Sequence, residues 1–509
     1  MFITGRLGDI HGHKLTLLLG WLWFALWSLI SGFCKPTQLV WFGTCRALQG
    51  IGPALVIPNA IALIGRTFPM GFKRNMAFAC FGAAGPTGAA LGAVMAALIS
   101  ESEKLGWHWC FFLLAITCLF VAAASWVIIP SPEQDADSPE KGDKEKPTFD
   151  WTGTLTGVSG LILLNFALNQ APIVGWSEPY IAPLLVLGIL FLIAFIYVEL
   201  HPTTTQPIIP LRGLQRNAAF TLACVFTGWS SHGIWVYYLY ILLQHLRGHS
   251  ALLTSAETSP VAITGILFAF LTVHLLRKTS VGWIMFTAMF FFMFGSLLIA
   301  TTPLDQTYWA NTFVAVVLMP GAMNLSFPAA TILLSEALPK EKQGIAASLV
   351  ATVVNYSISC GLGFAGSIHK HTLIEAANRL GMHGPAPPLS DVSDERLVAA
   401  RLAGLRSAYW FAVALGALGM VVAGLFVLVQ RVDGKRRAGR EGQKRYGRGR
   451  RSNDAEKAED VQVNSWSTHE HSPFGTPPLR KNSSRGGGEV INTFYLGDKV
   501  IRVKETVAK

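Results

Sequence analysis

Residues 107–129 read WHWCFFLLAITCLFVAAASWVII and contain no Asp, Glu, Lys or Arg. A helix rises 1.5 Å per residue, so a run of about 20 apolar residues is long enough to cross a bilayer. Similar runs recur up to residue 430, and 51% of the whole sequence is hydrophobic while 14% is charged. In soluble domains, roughly a quarter of all residues are charged. The composition therefore excludes a set of water-soluble domains and indicates a membrane protein.

The apolar runs predict helices rather than the strands of a membrane barrel. They are about twice as long as barrel strands, and many of them do not alternate between apolar and polar residues. We therefore expect an all-α membrane protein with twelve transmembrane helices. The runs lie at residues 15–33, 41–64, 76–99, 107–129, 152–171, 181–199, 218–243, 258–276, 281–300, 309–334, 344–368 and 407–430.

The positive charges of the connecting segments predict the orientation. One alternating set of connections contains fourteen Lys and Arg residues, whereas the opposite set contains none in 172–180 or 301–308. Lys and Arg in short loops stay on the cytoplasmic side. We therefore expect residues 1–14 and the C-terminal tail to be cytoplasmic.

The net charge of +11 does not indicate a nucleic-acid partner, because most of it lies in the tail. Residues 431–509 hold 18 Lys and Arg against 10 Asp and Glu, which leaves +3 for the other 430 residues. We predict a disordered basic tail, with contact to anionic lipid headgroups as the alternative. The seven cysteines show no C-x-x-C spacing, so neither a disulfide framework, a metal site nor a cofactor is expected.

A weak internal repeat indicates how the helices are grouped. A shift of 270 residues places Leu48, Leu55, Pro58, Ala60, Leu63 and Pro69 on Leu318, Leu325, Pro328, Ala330, Leu333 and Pro339. The second copy lies in the span at 309–334, and three predicted spans precede it within the six-helix block 218–430. The first copy lies in the span at 41–64, and only one predicted span precedes it. If the halves are equivalent, two helices are absent from the N-terminus. The chain then contains four helices of the N-terminal half, two inserted helices and six helices of the C-terminal half. The predicted segments are an incomplete N-terminal half (1–130), a cytoplasmic linker (131–150), an inserted helix pair (151–200), a C-terminal six-helix half (201–430) and the tail (431–509).

The segment before the first span reads GRLGDIHGHK, and its polar and glycine residues predict a loop. Gly5 and Gly12 allow a close approach and a sharp turn, while Asp9 can cap helix amides or pair with Arg6. The pattern resembles the signature G-x-L-x-D-x-x-G-x-(K/R) of the major facilitator superfamily. The resemblance implies a cytoplasmic gating motif that consists of Gly5, Arg6, Asp9, Gly12 and Lys14.

The second span contains RALQG at residues 46–50. An arginine at membrane depth is costly and is a functional candidate by default, although Arg46 at a helix end can also extend to the interface. In the family, an arginine at this place is associated with proton coupling, which implies this role for Arg46, Gln49 and Gly50. No Asp or Glu lies deep in the first four spans. The expected acidic partner is thus absent, which agrees with the two missing helices.

The third span contains GAAGPTGAALG at residues 82–92. It resembles the antiporter motif G-x-x-x-G-P-x-x-G-G of the same superfamily, although Ala89 replaces a glycine of that pattern. The small residues predict close contact between helix backbones, and the proline predicts a kink. The resemblance implies an exporter. The residues of the motif are Gly82, Gly85, Pro86, Gly88 and Gly92.

The layout resembles the fungal fourteen-helix drug:proton antiporters, and within them the aminotriazole-resistance and boron-export group, which includes low-affinity ammonium transporters. Residues 149–176 and the GWHW of residues 106–109 contribute to this resemblance, which covers residues 5–430. It implies a major facilitator fold and proton-coupled export of a small toxic compound, drug or secondary metabolite by alternating access. We further expect a monomer in the plasma membrane, with the vacuolar membrane as the alternative.

The seventh span carries polar and aromatic residues that are unusual in a transmembrane helix: Trp229, Ser230, Ser231, His232, Trp235, Tyr237, Tyr238, Tyr240 and Gln244. His232 and Trp235 are three residues apart and share a helix face. They suit the wall of a substrate cavity with a titratable ring, and a packed, hydrogen-bonded histidine is the alternative interpretation. Asn324 and Asn355 are further cavity candidates, with hydrogen bonding between helices as their alternative role.

Other classes of protein fit the sequence less well. The chain has no G-x-x-x-x-G-K-(S/T) phosphate loop, which disfavours an ATP-driven pump. A membrane enzyme would need clusters of intramembrane His, Asp or Glu, and those present, such as Glu257, are isolated. The remaining alternatives are a carrier for a small polar solute such as boric acid or ammonium, and a truncated remnant that does not transport.

Overall fold

The structure is a computed structural model that describes residues 2–69, 72–102, 104–130, 150–201, 216–336, 343–382, 395–466, 482–486, 489–496 and 499–506. The predicted linker at 131–150 lies almost entirely outside the described residues. Residues 1–430 form one compact unit, and residues 431–509 form a second.

The first unit is built from helices. They are α1 (Phe2–His11), α2 (His13–Gly32), α3 (Leu39–Gln49), α4 (Ile51–Thr67), α5 (Phe72–Ser100), α6 (His108–Ile128), α7 (Trp151–Val174), α8 (Ile181–Leu200), α9 (Arg216–Ile241), α10 (Ala251–Thr258), α11 (Pro260–Lys278), α12 (Val281–Ala300), α13 (Asn311–Glu336), α14 (Gln343–Arg379) and α15 (Glu395–Trp466), the last of which continues into the second unit.

Each of the twelve predicted spans overlaps a helix in the described ranges, so the all-α membrane fold is confirmed. Eleven helical spans of the described chain are long and apolar enough to cross a membrane; α3 with α4, and α10 with α11, each count as one. Helix α9 is not among the eleven, because its polar and aromatic cluster lowers its hydropathy although it is 26 residues long.

The start of the chain differs from the predicted loop. Residues Phe2–His11 are helical, and the chain turns at Gly12, whose φ is +94°, before α2 begins at His13. Only glycine adopts such a φ at low cost. The GRLGDIH segment is therefore helical, and the turn lies at Gly12.

The helices alternate in direction, which gives the unit two ends. We call the end with the α2 start, the α6 end and the α11–α12 turn the basic face, and the end with residues 247–250 and 301–310 the opposite face. Lys14 donates to the Ile129 carbonyl at the basic face. The Arg277 guanidinium lies 4.9 Å from the Phe72 ring centroid, which joins α11 to α5 at the same end.

Helix α5 packs along α10 and α11, and this seam joins the first helix group (α1–α6) to the second helix group (α9–α15). Most of the largest fully buried side chains belong to the second group, including Phe292, Ile234 and Tyr409. The inserted pair packs against itself and against α14: Ser359 Oγ donates to Asn165 Oδ1 at 2.7 Å.

The second unit differs from the predicted disordered tail. It contains the end of α15 and a three-stranded antiparallel sheet of β1 (Asn482–Gly486), β2 (Glu489–Leu496) and β3 (Lys499–Thr506). The sequences EVINTFYL and KVIRVKET are rich in β-branched and aromatic residues, which favour strands. The prediction used the overall composition of the tail and missed these two short segments.

Candidate functional site

Arg46 belongs to a polar network between α2 and α3. Its Nη1 donates to Gln49 Oε1, and Gln49 Nε2 donates to Ser28 Oγ. Gln49 and Ser28 are buried, whereas the Arg46 side chain is exposed and its guanidinium lies 5.4 Å from the Phe111 ring centroid. None of these described contacts is with a carboxylate. The structure thus joins Arg46 to Gln49, and Gly50 follows as the C-cap of α3.

A buried asparagine connects α4 to the segment that contains the predicted gating motif. Asn59 on α4 is 0% exposed, and its Oδ1 lies 2.7 Å from His13 Nδ1. Its Nδ2 donates to the Thr4 carbonyl at 3.2 Å, so one amide joins α4 to α1 and to α2. A Cβ added to Gly8 would overlap both Asn59 Oδ1 and His13 Nδ1. The sequence reasoning missed Asn59, although it directly follows the repeated Pro58.

The residues of the predicted gating motif have different surroundings. Gly5 approaches Ser348 of α14, where an added Cβ would lie 3.8 Å from the Ser348 Cβ. Lys14 lies over the Trp126 ring at 5.4 Å from its centroid. The side chains of Arg6 and Asp9 lie outside the described part, so their pairing stays a prediction.

The glycines of the antiporter motif do not form the predicted close helix contact. A Cβ added to Gly85, Gly88 or Gly92 would meet nothing within 4 Å, and all three residues are exposed. This part of the prediction is wrong, because shared helical spacing shows which residues form a face and not which neighbour covers it. The close contact of α5 involves Pro86 instead. A Cβ added to Gly265 of α11 would overlap Pro86 Cγ.

His232 and Trp235 do share a face, but that face is packed. The His232 ring lies 5.5 Å from Trp229, 6.2 Å from Trp235 and 6.2 Å from Phe292, measured between ring centroids. Trp229, Trp235 and Phe292 belong to the apolar core of the second helix group. The alternative interpretation is met in its packing, but the buried Nδ1 of His232 has no hydrogen-bond partner among the described residues. Neither His232 nor Trp235 lines the groove described below.

A groove follows another face of α9. It has a volume of about 460 Å³ and lies between α9 and α14. Its polar lining comes from Tyr237, Tyr240, Gln244 and His245, and none of the nine lining residues is Asp, Glu, Lys or Arg. A volume of this order suits a ligand of up to drug size. The remaining lining residues are Gly233, Val236, Ile241, Ile358 and Leu362.

The two candidate asparagines lie apart from this groove. Asn324 is buried, and its Nδ2 donates to the Pro320 carbonyl of its own helix at 3.0 Å. Its Oδ1 lies 3.4 Å from a Cβ added to Gly82, so Asn324 faces the α5 seam. Asn355 is exposed and donates to the Ala351 carbonyl at 2.8 Å. The structure therefore does not bring His232, Trp235, Asn324 and Asn355 into one site.

The groove reaches a change in helix type. Residues Leu242–Leu246 at the end of α9 form a π-helical turn, and Gln244 and His245 lie within it. Short π-helical turns are often found at functional sites. Tyr240 Oη lies 3.3 Å from Thr258 Oγ1, which connects the groove to α10.

An ionisable cluster, which the sequence did not predict, lies beyond this turn at the opposite face. His249 Nδ1 lies 3.0 Å from Glu257 Oε2, and the two side chains are 25% and 9% exposed. Tyr308 Oη donates to the Glu257 carbonyl at 2.7 Å. Arg247 Nη2 donates to the Pro303 carbonyl at 3.2 Å. The cluster thus connects the end of α9, the start of α10 and the loop before α13.

Two side chains near Glu257, Tyr308 and Arg247, have shifted pKa values. Burial raises the pKa of Tyr308 to about 12, and the nearby Glu257 carboxylate adds to this rise. Burial lowers the pKa of Arg247, while Glu257 and Asp305 oppose that change. Burial disfavours the charged form of each side chain, whereas a nearby negative charge disfavours the phenolate of Tyr308 and favours the guanidinium of Arg247.

Comparison with known proteins now identifies the family. The sequence profile of the Major Facilitator Superfamily matches residues 1–363. The chain belongs to the major facilitator superfamily. The resemblance of its motifs is thereby confirmed, and this member of the superfamily is a transporter of small molecules and not an enzyme.

Three curated relatives of this transporter come from fungi. The "Low affinity ammonium transporter" of Saccharomyces cerevisiae is 43% identical over 86% of this chain and 80% of the relative. The "Efflux pump terJ" of Aspergillus terreus is 37% identical over 84% and 77%, respectively. The "Aminotriazole resistance protein" of Saccharomyces cerevisiae is 34% identical over 86% and 76%. These relatives confirm the predicted fungal transporter group.

Proposed function

We propose that this transporter exports a small uncharged organic compound in exchange for protons, by alternating access at the groove between α9 and α14. The observation that carries the proposal is the lining of the groove, which offers hydroxyl, amide and imidazole groups but no Asp, Glu, Lys or Arg.

The lining determines which solutes bind well. Tyr237, Tyr240 and Gln244 supply hydrogen-bond donors and acceptors, while Val236 and Ile358 supply apolar contact. A solute that carries a full charge loses its hydration when it enters such a groove, and an opposite charge is needed to compensate for this loss. A neutral solute with a few polar groups has a much smaller loss, which favours aromatic heterocycles and similar metabolites.

Two further observations support the proposed direction of transport and its coupling to protons. Relatives are named efflux pumps and a resistance protein, which supports export. Arg46 places a permanent positive charge within a span, and such a charge supports coupling because it biases where a proton binds nearby. The Gln49–Ser28 contacts hold the other end of this network in place.

A second candidate substrate is ammonium, because a relative at 43% identity is named an ammonium transporter. The uncharged groove disfavours the ammonium cation itself, although tyrosine rings can attract cations. The two substrate classes are therefore separated by a direct competition.

The experiment is export from yeast that lacks its own related transporters and expresses the full chain. Cells are loaded with aminotriazole, boric acid or methylammonium, and the retained amount is measured with and without a proton uncoupler. We expect uncoupler-sensitive loss of aminotriazole or boric acid, which are uncharged at neutral pH. Export of methylammonium alone would contradict the proposed substrate class.

Two groove variants connect the flux to the site. Tyr240→Phe removes one hydroxyl and Gln244→Leu removes one amide, and each is expected to raise the concentration for half-maximal export about tenfold, because a hydrogen bond to substrate is lost. The matched control is Tyr180→Phe, which removes a hydroxyl from an exposed residue at the opposite face. An equal effect of all three variants would remove the groove from the proposal.

A further inference from the structure

The start of α10 forms a contact between the two helix groups at the opposite face. The Leu252 amide donates to Glu101 Oε1 at the end of α5, at 2.9 Å. Ser255 Oγ donates to the Ala93 carbonyl at 3.1 Å, and Ser255 is 3% exposed. These contacts must break if the two helix groups are to separate at this face. We call them the α5–α10 contact.

The His249–Glu257 pair fixes the same short helix from its other side. His249 follows Gly248, whose φ of +69° turns the chain between the π-helical turn and α10. Its imidazole then reaches the Glu257 carboxylate, which lies on α10 two residues beyond Ser255. Any change in the strength of the pair therefore acts on the helix that makes the α5–α10 contact.

Protonation changes the strength of this pair in a definite direction. Neutral imidazole donates one hydrogen bond to the carboxylate through Nδ1, while imidazolium keeps this bond and adds a positive charge, so that the pair becomes an ion pair. Histidine is the side chain that changes its charge between pH 5 and 8. His249 is 25% exposed, so protons from solution reach it, whereas Glu257 at 9% exposure is largely shielded.

Several other charged and polar groups lie around Glu257. Arg247 on the preceding turn and Tyr308 on the loop before α13 both interact with its charge. Asp305 offsets part of the Arg247 charge, and Arg406 of α15 donates to the Thr302 carbonyl in the same loop. Glu101 is engaged with the Leu252 amide.

We propose that the His249–Glu257 pair is the proton-binding site of the opposite face, and that proton uptake there locks the α5–α10 contact closed. The proton adds to the free imidazole Nε2, and no other bond is made or broken. This inference rests on the proposed proton antiport, in which the carrier binds a proton from the side to which it releases substrate and then closes that side.

The test measures the α5–α10 separation in the full chain with its seven cysteines replaced. Spin labels are attached at Leu98→Cys and Leu253→Cys, because both positions are exposed and lie on α5 and α10. Distance distributions are recorded by pulsed electron paramagnetic resonance at pH 8 and pH 5.5. We expect the short-distance population to gain about tenfold over the long-distance population on acidification, because protonation turns the partly buried hydrogen bond into an ion pair.

Variants of His249 and Glu257 test whether this pair causes the change of distance with pH. Glu257→Gln and His249→Gln are expected to abolish the pH response, whereas His249→Lys carries its charge at both pH values and is expected to stay closed at both. The control is Glu375→Gln, which removes an exposed carboxylate paired with Arg379 on α14. This control is expected to keep the full response.

Two results would overturn the proposal: a parent chain whose distances do not change with pH, or a pH response that persists in Glu257→Gln and His249→Gln. The measurement uses neither substrate nor proton flux. If the distances do not respond to pH as expected, the result of the export experiment still stands. If the export experiment shows no proton antiport, the distances still show whether the His249–Glu257 pair binds a proton.

Discussion

Tyr240 Oη of the groove lies 3.3 Å from Thr258 Oγ1, and Thr258 directly follows Glu257. The substrate groove and the ionisable cluster of the opposite face are thus adjacent along α10. A ligand that displaces the Tyr240 side chain acts on the helix that also responds to protonation. This adjacency gives substrate and proton a shared element through which they can influence each other.

The packing around Asn59 predicts different effects for two glycine substitutions. Gly8→Ala places a methyl group onto the Asn59 and His13 side chains, and we expect it to destabilise the protein by about 1–3 kcal/mol through overpacking. Gly85→Ala enters open space on α5 and is expected to leave stability unchanged or slightly raised. Thermal unfolding of both purified variants in detergent measures this, and equal losses of stability would contradict the described packing.

The seam between α5 and α11 is expected to depend on Gly265. A methyl group there meets the Pro86 ring, so Gly265→Ala should push the two helices apart and lower both stability and flux. Gly88→Ala on the same stretch of α5 is the control, because its added Cβ meets nothing within 4 Å. Cross-linking between cysteines placed in α5 and α11 reports the separation, and unchanged cross-linking in Gly265→Ala would refute this account of the seam.

Arg46 is predicted to act in coupling rather than in substrate binding, since it lies on α3 and does not line the groove. Arg46→Ala should lower proton-driven export about tenfold, the loss of one charge-assisted interaction. Substrate exchange at equal pH on both sides should persist. Both activities are measured in proteoliposomes, with Arg66→Ala as a control at the end of α4. Full proton-driven flux in Arg46→Ala would show that this role is wrong.

The environment of Tyr308 predicts its titration. Its raised pKa of about 12 means that the neutral phenol is stabilised, so this contribution to stability is complete below the pKa of a free tyrosine and is lost as pH rises toward 12. The difference in phenolate absorbance between the parent chain and Tyr308→Phe measures the titration. In a Glu257→Gln background the midpoint should fall only part of the way to that of free tyrosine, because burial is the larger cause. A midpoint near 10 in the parent chain would contradict the buried position.

The sequence predicted those features that depend on the composition of long segments. The apolar runs located most of the helices within a few residues, because a span must be apolar over its whole length whatever surrounds it. Helices α14 and α15 extend well beyond their predicted runs, because their polar ends carry no apolar signal. The gating and coupling motifs were recognisable because their residues are close together in the chain. The helical form of Phe2–His11 was missed because ten residues of mixed polarity give no clear periodicity.

The sequence could not predict contacts that depend on which helices become neighbours. Gly85, Gly88 and Gly92 share a face, but that face is exposed. His249 and Glu257 are eight residues apart, and they meet only because of a positive φ at Gly248. The groove was only partly anticipated: Tyr237, Tyr240 and Gln244 were in the predicted polar cluster of α9, whereas the choice of His232 and Trp235 selected the packed face.

The most direct test of proton-coupled export is the proton movement that accompanies substrate movement. The full chain is reconstituted in proteoliposomes that contain a pH-sensitive dye, and aminotriazole or boric acid is added on one side at equal starting pH. We predict that inward movement of the compound drives protons outward, and that Arg46→Ala weakens this exchange. Movement of the compound without any change in internal pH would contradict proton antiport and would leave a facilitative carrier as the function.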